Sequence, residues 1–206
     1  MTLADAPALH LTFASLHVLV GHFGAAAVHW LRFRRSPLVL YRGGSSPHQR
    51  RTRAVALASL GWAAALVASA TSSAFGASAL GRALFPVPPA LAWGLAIGGL
   101  ALMIASQASM GAAFRVGQDD RDAPPALCED GLHAIMRNPV YLGSWTSLFG
   151  MTLWHPSALL LALCAVIGLG IHGLVLAEEA FLRERFGAAY AAYCASTPRY
   201  IFGARQ

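Results

Sequence analysis

The chain of 206 residues has no lysine and few charged residues of any kind. Only 12% of its residues are Asp, Glu, Lys or Arg, whereas a soluble domain carries about a quarter. Its three cysteines, Cys128, Cys164 and Cys194, are odd in number and lack C-x-x-C spacing, so neither a disulfide framework nor a zinc site is indicated. These absences exclude an ordinary soluble enzyme, a disordered chain and a secreted disulfide scaffold.

Long uncharged runs take the place of those features, and 56% of the residues are apolar. The uncharged runs have 26, 28, 32 and 40 residues and cover 6–31, 54–81, 83–114 and 138–177. A membrane-spanning helix needs about 20 mostly apolar residues, so each run can hold one span and the last can hold a hairpin of two. The sequence therefore predicts an all-α integral membrane protein with about five transmembrane helices.

The predicted spans lie near residues 8–31, 54–75 and 88–109, followed by a C-terminal helical hairpin with arms near 140–154 and 157–177. Pro156, in the turn of the hairpin, is expected to open the second arm, because proline suits the first turn of a helix. The first arm is about 22 Å long, which is short of a hydrocarbon core of about 30 Å. No basic region precedes the first apolar stretch, so we interpret it as a retained span rather than a signal peptide.

The arginines predict the orientation. Fourteen of the 15 lie in segments 32–53, 109–139 and 178–206, and only Arg82 lies on the opposite side. Because cytoplasmic loops are enriched in arginine, we expect an outward N-terminus and a cytoplasmic C-terminus, in a multi-pass protein of a bacterial inner membrane. The last two segments then share the cytoplasmic face and hold eight of the nine acids, so an active site is expected there. Arginines beside spans set topology, so no nucleic-acid partner is expected.

The first candidate motif is Arg137-Asn138-Pro139-Val140-Tyr141. Pro139 suits the first turn of a helix, and Asn138 before it is a natural N-cap. A helix N-terminus attracts a carboxylate or phosphate, and Arg137 adds a fixed fork of donors. The alternative is a capped membrane helix, with Arg137 at the lipid headgroups and Tyr141 in the aromatic belt.

The second motif is Glu178-Glu179, directly after the longest uncharged run. Glu179 has Arg183 four residues on, which is the favourable helical pairing, whereas Glu178 has no such partner. Glu178 is therefore a candidate ligand for an ammonium group or ribose hydroxyls, with a solvated helix end as the alternative. The tail beyond is predicted to form a cytoplasmic amphipathic helix with one apolar stripe: Leu182, Phe186, Ala189, Tyr190 and Tyr193.

In this order, the motifs resemble the isoprenylcysteine carboxyl methyltransferase family and its bacterial and phospholipid-methyltransferase relatives. The matching residues are Arg137-Asn138-Pro139-x-Tyr141-x-Gly143, Glu178-Glu179-x-x-Leu182-x-x-x-Phe186-Gly187-x-x-Tyr190-x-x-Tyr193 and Pro198-Arg199. The resemblance covers about residues 110–202 and implies a five-span-type membrane methyltransferase that uses S-adenosyl-L-methionine. Together with the predicted spans, it gives an N-terminal three-span region, 1–109, joined to a cofactor-binding region, 110–206, in a single integrated domain.

By motif position, the resemblance implies that the cofactor is held by Gln118, Pro125, Ala126, Leu127, Cys128, His133, Asn138, Pro139, Val140, Tyr141 and Glu178. Arg137 and Tyr141 are the predicted catalytic residues, with a structural brace as the alternative for Arg137, and no metal is expected. In the prenylcysteine enzymes a substrate-associated Arg precedes the cofactor glutamate by four residues, and here that position is Leu174. The acceptor is expected to be a lipid or other lipophilic molecule, and a lipid amine, an isoprenoid acid and a thiol all stay open.

Two other functions are kept as alternatives. The first is an NADPH-dependent membrane reductase of related helical fold, although the paired motifs favour methyl transfer. The second is a non-enzymatic haem- or metal-binding protein that uses the histidines of the first span. Those histidines form two pairs with a spacing of seven, and the pairs are predicted to lie on different faces of the helix: His10 with His17, and His22 with His29. Interhelical hydrogen bonding and placement at the membrane interface are the favoured roles for them.

Glycines inside the apolar runs are predicted to serve helix packing. Gly168-x-Gly170-x-x-Gly173 has the spacing of a dinucleotide fingerprint, but no strand precedes it. Small residues that allow close helix approach are the interpretation, and it extends to three glycines of the third span: Gly94, Gly98 and Gly99.

Overall fold

The computed structural model describes residues 6–34, 47–114 and 126–201. Within these ranges the chain forms helices and turns and no strand, which confirms the all-α class. The helices are α1 (Pro7–Val18), α2 (Ala25–Phe33), α3 (Pro47–Thr71), α4 (Ser73–Ala77), α5 (Pro89–Met110), α6 (Pro139–Thr152), α7 (Ala158–Phe186) and α8 (Ala188–Ser196). A π-helical segment, Leu19–Gly24, joins α1 to α2 without a break.

Four helical stretches are long and apolar enough to cross a membrane, and they are Pro7–Phe33, Gln49–Thr71, Pro89–Met110 and Ala158–Phe186. Large apolar side chains on them remain exposed, among them Leu57 at 68% and Leu169 at 75%, as expected of surfaces that face lipid. Helix α6 has 14 residues, or about 21 Å, and is shorter than a hydrocarbon core of about 30 Å. The chain is a multi-pass membrane protein, and its described residues include four helices long enough to cross a membrane and one shorter hairpin arm.

The hairpin of α6 and α7 has its turn beside the loop that contains Arg82. The backbone N–H of Leu84 donates to the carbonyl of Pro156 at 3.0 Å. Pro156 does not open α7 as predicted, because Ser157 takes the N-cap position and its hydroxyl accepts from Leu160 N at 3.4 Å. Helix α7 also continues past the predicted end at residue 177, so that the two adjacent acids lie on its last turns.

Helices α5 and α6 pack backbone to backbone through glycine. A Cβ added to Gly99 would overlap the backbone N of Ser147, and one added to Gly143 would overlap the backbone of Met103. This close approach fixes the position along α5 at which α6 begins. The predicted packing role of Gly99 is therefore confirmed.

Among the other glycines predicted to serve helix packing, the prediction is confirmed at two positions and wrong at three. Gly168 lies against the indole of Trp145, and Gly170 lies against the side chain of Val55, as expected for close helix contacts. The prediction is wrong for three others, where an added Cβ meets nothing within 4 Å: Gly94, Gly98 and Gly173.

The π segment rotates the first span. A π turn holds about one residue more than an α turn, which shifts the face of the following helix by about 100°. His10, His17 and His29 are consequently all buried, so the prediction of a different face is wrong for His29, and it stays untested for His22. The side chain of His22 lies outside the described part of the chain.

The histidines of the first span make interhelical contacts. His17 Nδ1 lies 3.0 Å from Ser147 Oγ, which itself donates to the carbonyl of Ala96 at 2.8 Å. The ring of His10 packs edge-on against Trp154, with centroids 4.6 Å apart. The predicted interhelical hydrogen bonding is confirmed for His17. In the described residues, no three His, Cys, Asp or Glu side chains lie together as a metal site would require.

Candidate functional site

Helix α7 places Glu179 against the segment that leads into α6. Glu179 is 3% exposed, and its Oε1 accepts from Arg137 Nε and Nη2, both at 3.2 Å. The predicted pairing of Glu179 with Arg183 is wrong, because Glu179 faces α6 while Arg183 is exposed and lies over the ring of Tyr190. The two segments that the arginine pattern assigns to one face are therefore in direct contact.

All three guanidinium nitrogens of Arg137 donate inside the protein. Its Nε and Nη2 donate to the carboxylate of Glu179. Its Nη1 donates to the carbonyls of Thr197 at 2.6 Å and Cys194 at 3.2 Å. With its side chain 1% exposed, Arg137 has the geometry of a structural brace, and this geometry does not favour the predicted catalytic role.

Asn138 and Arg199 complete this network around Glu179. Asn138 Nδ2 donates to Glu179 Oε1 at 3.0 Å, and Arg199 donates to both carboxylate oxygens at 3.0 and 2.8 Å. The hydrogen bond to Glu179 raises the pKa of Arg199 above its ordinary value. We call this set of Glu179, Arg137, Asn138 and Arg199 the Glu179 clamp, and it fastens the C-terminal tail to the start of α6.

The clamp leaves the N-terminus of α6 without a side-chain cap. Helix α6 begins at Pro139 as predicted, but Asn138 makes no capping hydrogen bond, because its amide is turned toward Glu179. Asn138 therefore occupies the predicted N-cap position, but its side chain does not cap the helix. The first N–H groups of a helix carry partial positive charge, so this uncapped turn suits an anionic ligand.

Glu178 faces the other side of α7 and meets Tyr141 of α6. The hydroxyl of Tyr141 donates to Glu178 Oε2 at 2.7 Å. Both residues are half-buried, unlike the fully enclosed Glu179. A carboxylate held by a tyrosine at a partly open position, beside an uncapped helix start, is suited to bind a polar organic ligand.

His133 lies in a 3₁₀ turn, Gly131–Ala134, just before α6. Its ring is buried, and burial lowers its pKa below the ordinary value, so the imidazole is neutral at pH 7. Its Nδ1 lies 3.4 Å from Ser109 Oγ at the end of α5. The carbonyl of His133 accepts from the hydroxyl of Tyr193 at 2.6 Å.

The tail is two helices rather than the single amphipathic helix that we predicted. Gly187, with a φ of +52°, separates α7 from α8, and that left-handed conformation suits glycine. The stripe still packs on one side, except for the exposed Ala189. The resulting cluster joins both helices to the segment before α6: Tyr190, Tyr193, Cys194, Leu127, Leu182 and Phe186.

The structure brings several of the predicted cofactor residues to one end of the bundle. Tyr141 and Glu178 are hydrogen-bonded, Asn138 contacts the adjacent Glu179, and His133 is linked by Tyr193 to the cluster that includes Leu127. Cys128 is half-buried, and burial raises the pKa of its thiol. Of the other predicted residues, Pro139 is fully buried, Val140 is half-buried and Ala126 is exposed. Gln118 and Pro125 lie outside the described residues.

The sequence does not predict the contacts of Arg199 and Tyr193. Both belong to the matching motifs, but Arg199 has no predicted role and Tyr193 is predicted only as part of the apolar stripe. The one available signal was charge: Glu179 lies at the end of an uncharged run, and Arg199 follows the proline that ends the tail helix.

Comparison with known proteins gives one family. Residues 88–189 match the model of the family described as phospholipid methyltransferase. The match starts just before α5 and ends in α8, so it includes a helix that the predicted division at residue 109 assigns to the N-terminal region. Comparisons with curated proteins and with solved structures gave no match.

Proposed function

The chain belongs to the phospholipid methyltransferase family, whose members are membrane methyltransferases, and we propose that it transfers a methyl group from S-adenosyl-L-methionine to a lipophilic acceptor. The proposal fits the chemistry of the residues at the end of the bundle. They include a carboxylate suited to an amino group or ribose hydroxyls, an uncapped helix start suited to a carboxylate, and two rings suited to an adenine or a sulfonium.

The hydrogen bond between Tyr141 and Glu178 is the observation that carries the proposal. It holds the Glu178 carboxylate at a half-buried position, where a ligand can reach it and where water competes less than at an open surface. Glu178 would bind the amino group or the ribose hydroxyls of the cofactor. The backbone N–H groups of Val140 and Tyr141, at the start of α6, would bind its carboxylate.

The remaining predicted residues are assigned by resemblance. His133 and Tyr141 would pack on adenine or near the sulfonium, and Tyr141 can contribute cation–π attraction. Because His133 is neutral, it adds no repulsion toward a cationic ligand. Gln118 and the segment 125–128 would complete the site.

The protein would act mainly by positioning. When bound, S-adenosyl-L-methionine would supply an electrophilic methyl group to a heteroatom of the acceptor, with S-adenosylhomocysteine and the acceptor's proton as the other products. Alignment of the reactants and exclusion of water supply the acceleration, so no general base is assigned. In this scheme the Glu179 clamp holds the start of α6 in place, and Arg137 is a positioning residue.

The orientation and the division of the chain form part of the proposal. The site lies at the end of the bundle opposite the Arg82 loop. The arginine pattern assigns this end, with the site, to the cytoplasm. We place the cofactor-binding function in 110–206, with the N-terminal three-span region shaping the acceptor route. The contacts of α5 with α6 support treating the two regions as one integrated domain.

Calorimetric titration of the detergent-purified protein tests this proposal. S-adenosyl-L-methionine, S-adenosylhomocysteine and NADPH are titrated in parallel into wild type, Glu178→Gln and Glu184→Gln, an exposed acid on the same helix. We expect both adenosyl ligands to bind wild type and Glu184→Gln equally, and to bind Glu178→Gln at least tenfold more weakly. Binding of NADPH alone would instead indicate a reductase.

A further inference from the structure

Two adjacent polar side chains on α5 each carry a buried oxygen that has no hydrogen-bond partner among the described residues. Ser106 is 0% exposed and Gln107 is 7% exposed, yet Ser106 Oγ and Gln107 Oε1 have no partner within the described residues. Buried polar groups in native proteins are nearly always paired, with protein, water or a ligand. These two oxygens therefore lack the partner that buried polar groups normally have.

The contact of Gln107 with the first span fixes which of its atoms is unpaired. The nitrogen Nε2 donates to the carbonyl of Gly21 at 2.8 Å. A carbonyl can only accept, so the amide nitrogen must face Gly21 and the unpaired atom must be the oxygen. Gly21 lies in the π-helical segment, and such segments are frequent at functional sites. Whatever pairs with Gln107 Oε1 must be a hydrogen-bond donor.

The packing of α5 on α6 places these atoms beside the proposed cofactor site. The helices run antiparallel, with Gly150 against Ala96 and Gly143 against Met103. One further turn of each helix brings Ser106 level with Pro139, the first residue of α6. On the same turn of α5, Ser109 Oγ donates to the carbonyl of Ser106 at 2.7 Å and lies 3.4 Å from His133 Nδ1.

Gly21, the partner of Gln107, has apolar neighbours. The side chains of Leu100 and Met103 approach Gly21, and an added Cβ there would meet both at 3.3 Å. Leu19 and Phe23 of the π segment are 58% and 51% exposed. The π segment that Gln107 contacts therefore offers an apolar surface to a lipophilic chain.

From this geometry we propose that Ser106 and Gln107 bind the head of the methyl acceptor, and that this head carries a hydrogen-bond donor. A hydroxyl, thiol or amine on a lipophilic molecule fits, because Gln107 Oε1 only accepts and the Ser106 hydroxyl can accept or donate. An ionised carboxylate has no donor to give. That the bound molecule is the methyl acceptor rests on the proposed function, because only a molecule held beside the cofactor can be methylated.

Ser106→Ala is the sharpest variant, because it removes a hydroxyl that bonds to no described residue. In a purely structural role, the change would leave ligand binding unaltered and thermal stability equal or higher. Ser59→Ala is the matched control, since the Ser59 hydroxyl bonds only to the carbonyl of Val55 in its own helix α3. Gln107→Met adds a second variant of similar length that removes both polar atoms.

The full chain is purified in one detergent and titrated with 1-hexadecanol, 1-hexadecanethiol, hexadecylamine or hexadecanoate, and the thermal unfolding midpoint is measured. We expect at least one donor-headed probe to raise the midpoint of wild type and Ser59→Ala, with hexadecanoate without effect. The half-saturating mole fraction of that probe should rise about tenfold in Ser106→Ala and in Gln107→Met. Equal titrations in all four proteins, or no shift with any donor-headed probe, would overturn the proposal and assign the two atoms to water. The test needs no cofactor, so its failure is distinct from a failure of the cofactor titration.

Discussion

Tyr141 and Glu178 are 37 positions apart in the sequence, and the hydroxyl of Tyr141 donates to the Glu178 carboxylate at 2.7 Å. The next residue, Glu179, points away from this pair and is enclosed by Arg137, Asn138 and Arg199. Successive residues on a helix face about 100° apart, so two adjacent acids serve different ends. One is held at a half-open position, and the other fastens the tail to the start of α6.

The first prediction separates the two acids by their effect on stability. Glu179→Ala leaves Arg137 buried without its counter-charge, which should cost about 3–5 kcal/mol. Glu178→Ala removes a half-buried carboxylate and should cost about 1 kcal/mol or less. Thermal unfolding of both variants in the same detergent checks this, and equal losses of stability would contradict the structural role of the Glu179 clamp.

Tyr141→Phe should weaken S-adenosyl-L-methionine binding without unfolding the protein. The change removes the hydrogen bond that orients Glu178, and we expect about a tenfold higher Kd. Tyr200→Phe is the control, because its hydroxyl contacts the exposed His172 instead. A Kd for Tyr141→Phe equal to that of Tyr200→Phe would mean that Glu178 does not need this partner.

A pair of neighbouring glycines tests the packing of α5 on α6. Gly99→Ala should destabilise the protein strongly, because the new methyl group would overlap the backbone of Ser147. Gly98→Ala should be neutral or stabilising by up to about 1 kcal/mol, since an added Cβ meets nothing within 4 Å and alanine favours helix. The thermal midpoints of the two variants decide the point. A similar midpoint for both would show that α5 and α6 do not approach so closely.

Acidification should destabilise the protein through His133. Burial lowers its pKa in the folded state, while the unfolded chain keeps the ordinary value of about 6.5. As the pH falls below about 6.5, the unfolded state takes up a proton that the folded state does not, so the free energy of unfolding decreases. This loss ends below the folded-state pKa. Unfolding of wild type and His133→Gln at pH 7.5 and 5.5 measures it, and the variant should lose less stability than wild type over this interval.

The sequence predicted the long elements and the shared face of the site well. Uncharged runs indicate helices that are buried or face lipid, and arginine-rich loops indicate one common side of the membrane. The sequence alone therefore predicts that 137–141 and 178–179 lie on the same face. Pro139 likewise predicted the start of α6. These features depend on local composition, which is directly readable.

Features set by long-range contacts could not be read in the same way. Local spacing paired Glu179 with Arg183, but burial against α6 made Arg137 and Arg199 its partners. The π segment changed the face of His29 because it adds a residue to one helical turn. No distinctive sequence pattern marks such a segment, so the change could not be predicted. Gly98 and Gly99 look alike in the sequence, and only the position of α6 distinguishes them.

The most direct test of methyl transfer uses the purified protein with S-adenosyl-L-methionine that carries a tritiated methyl group. The protein is incubated with a lipid extract reconstituted in vesicles, and tritium in the organic phase is counted. We predict time-dependent label in lipophilic product with wild type and Glu184→Gln, and at least a tenfold lower rate with Glu178→Gln at subsaturating cofactor. Cofactor that binds but leaves no label in the organic phase, or label that is equal with Glu178→Gln, would contradict the account.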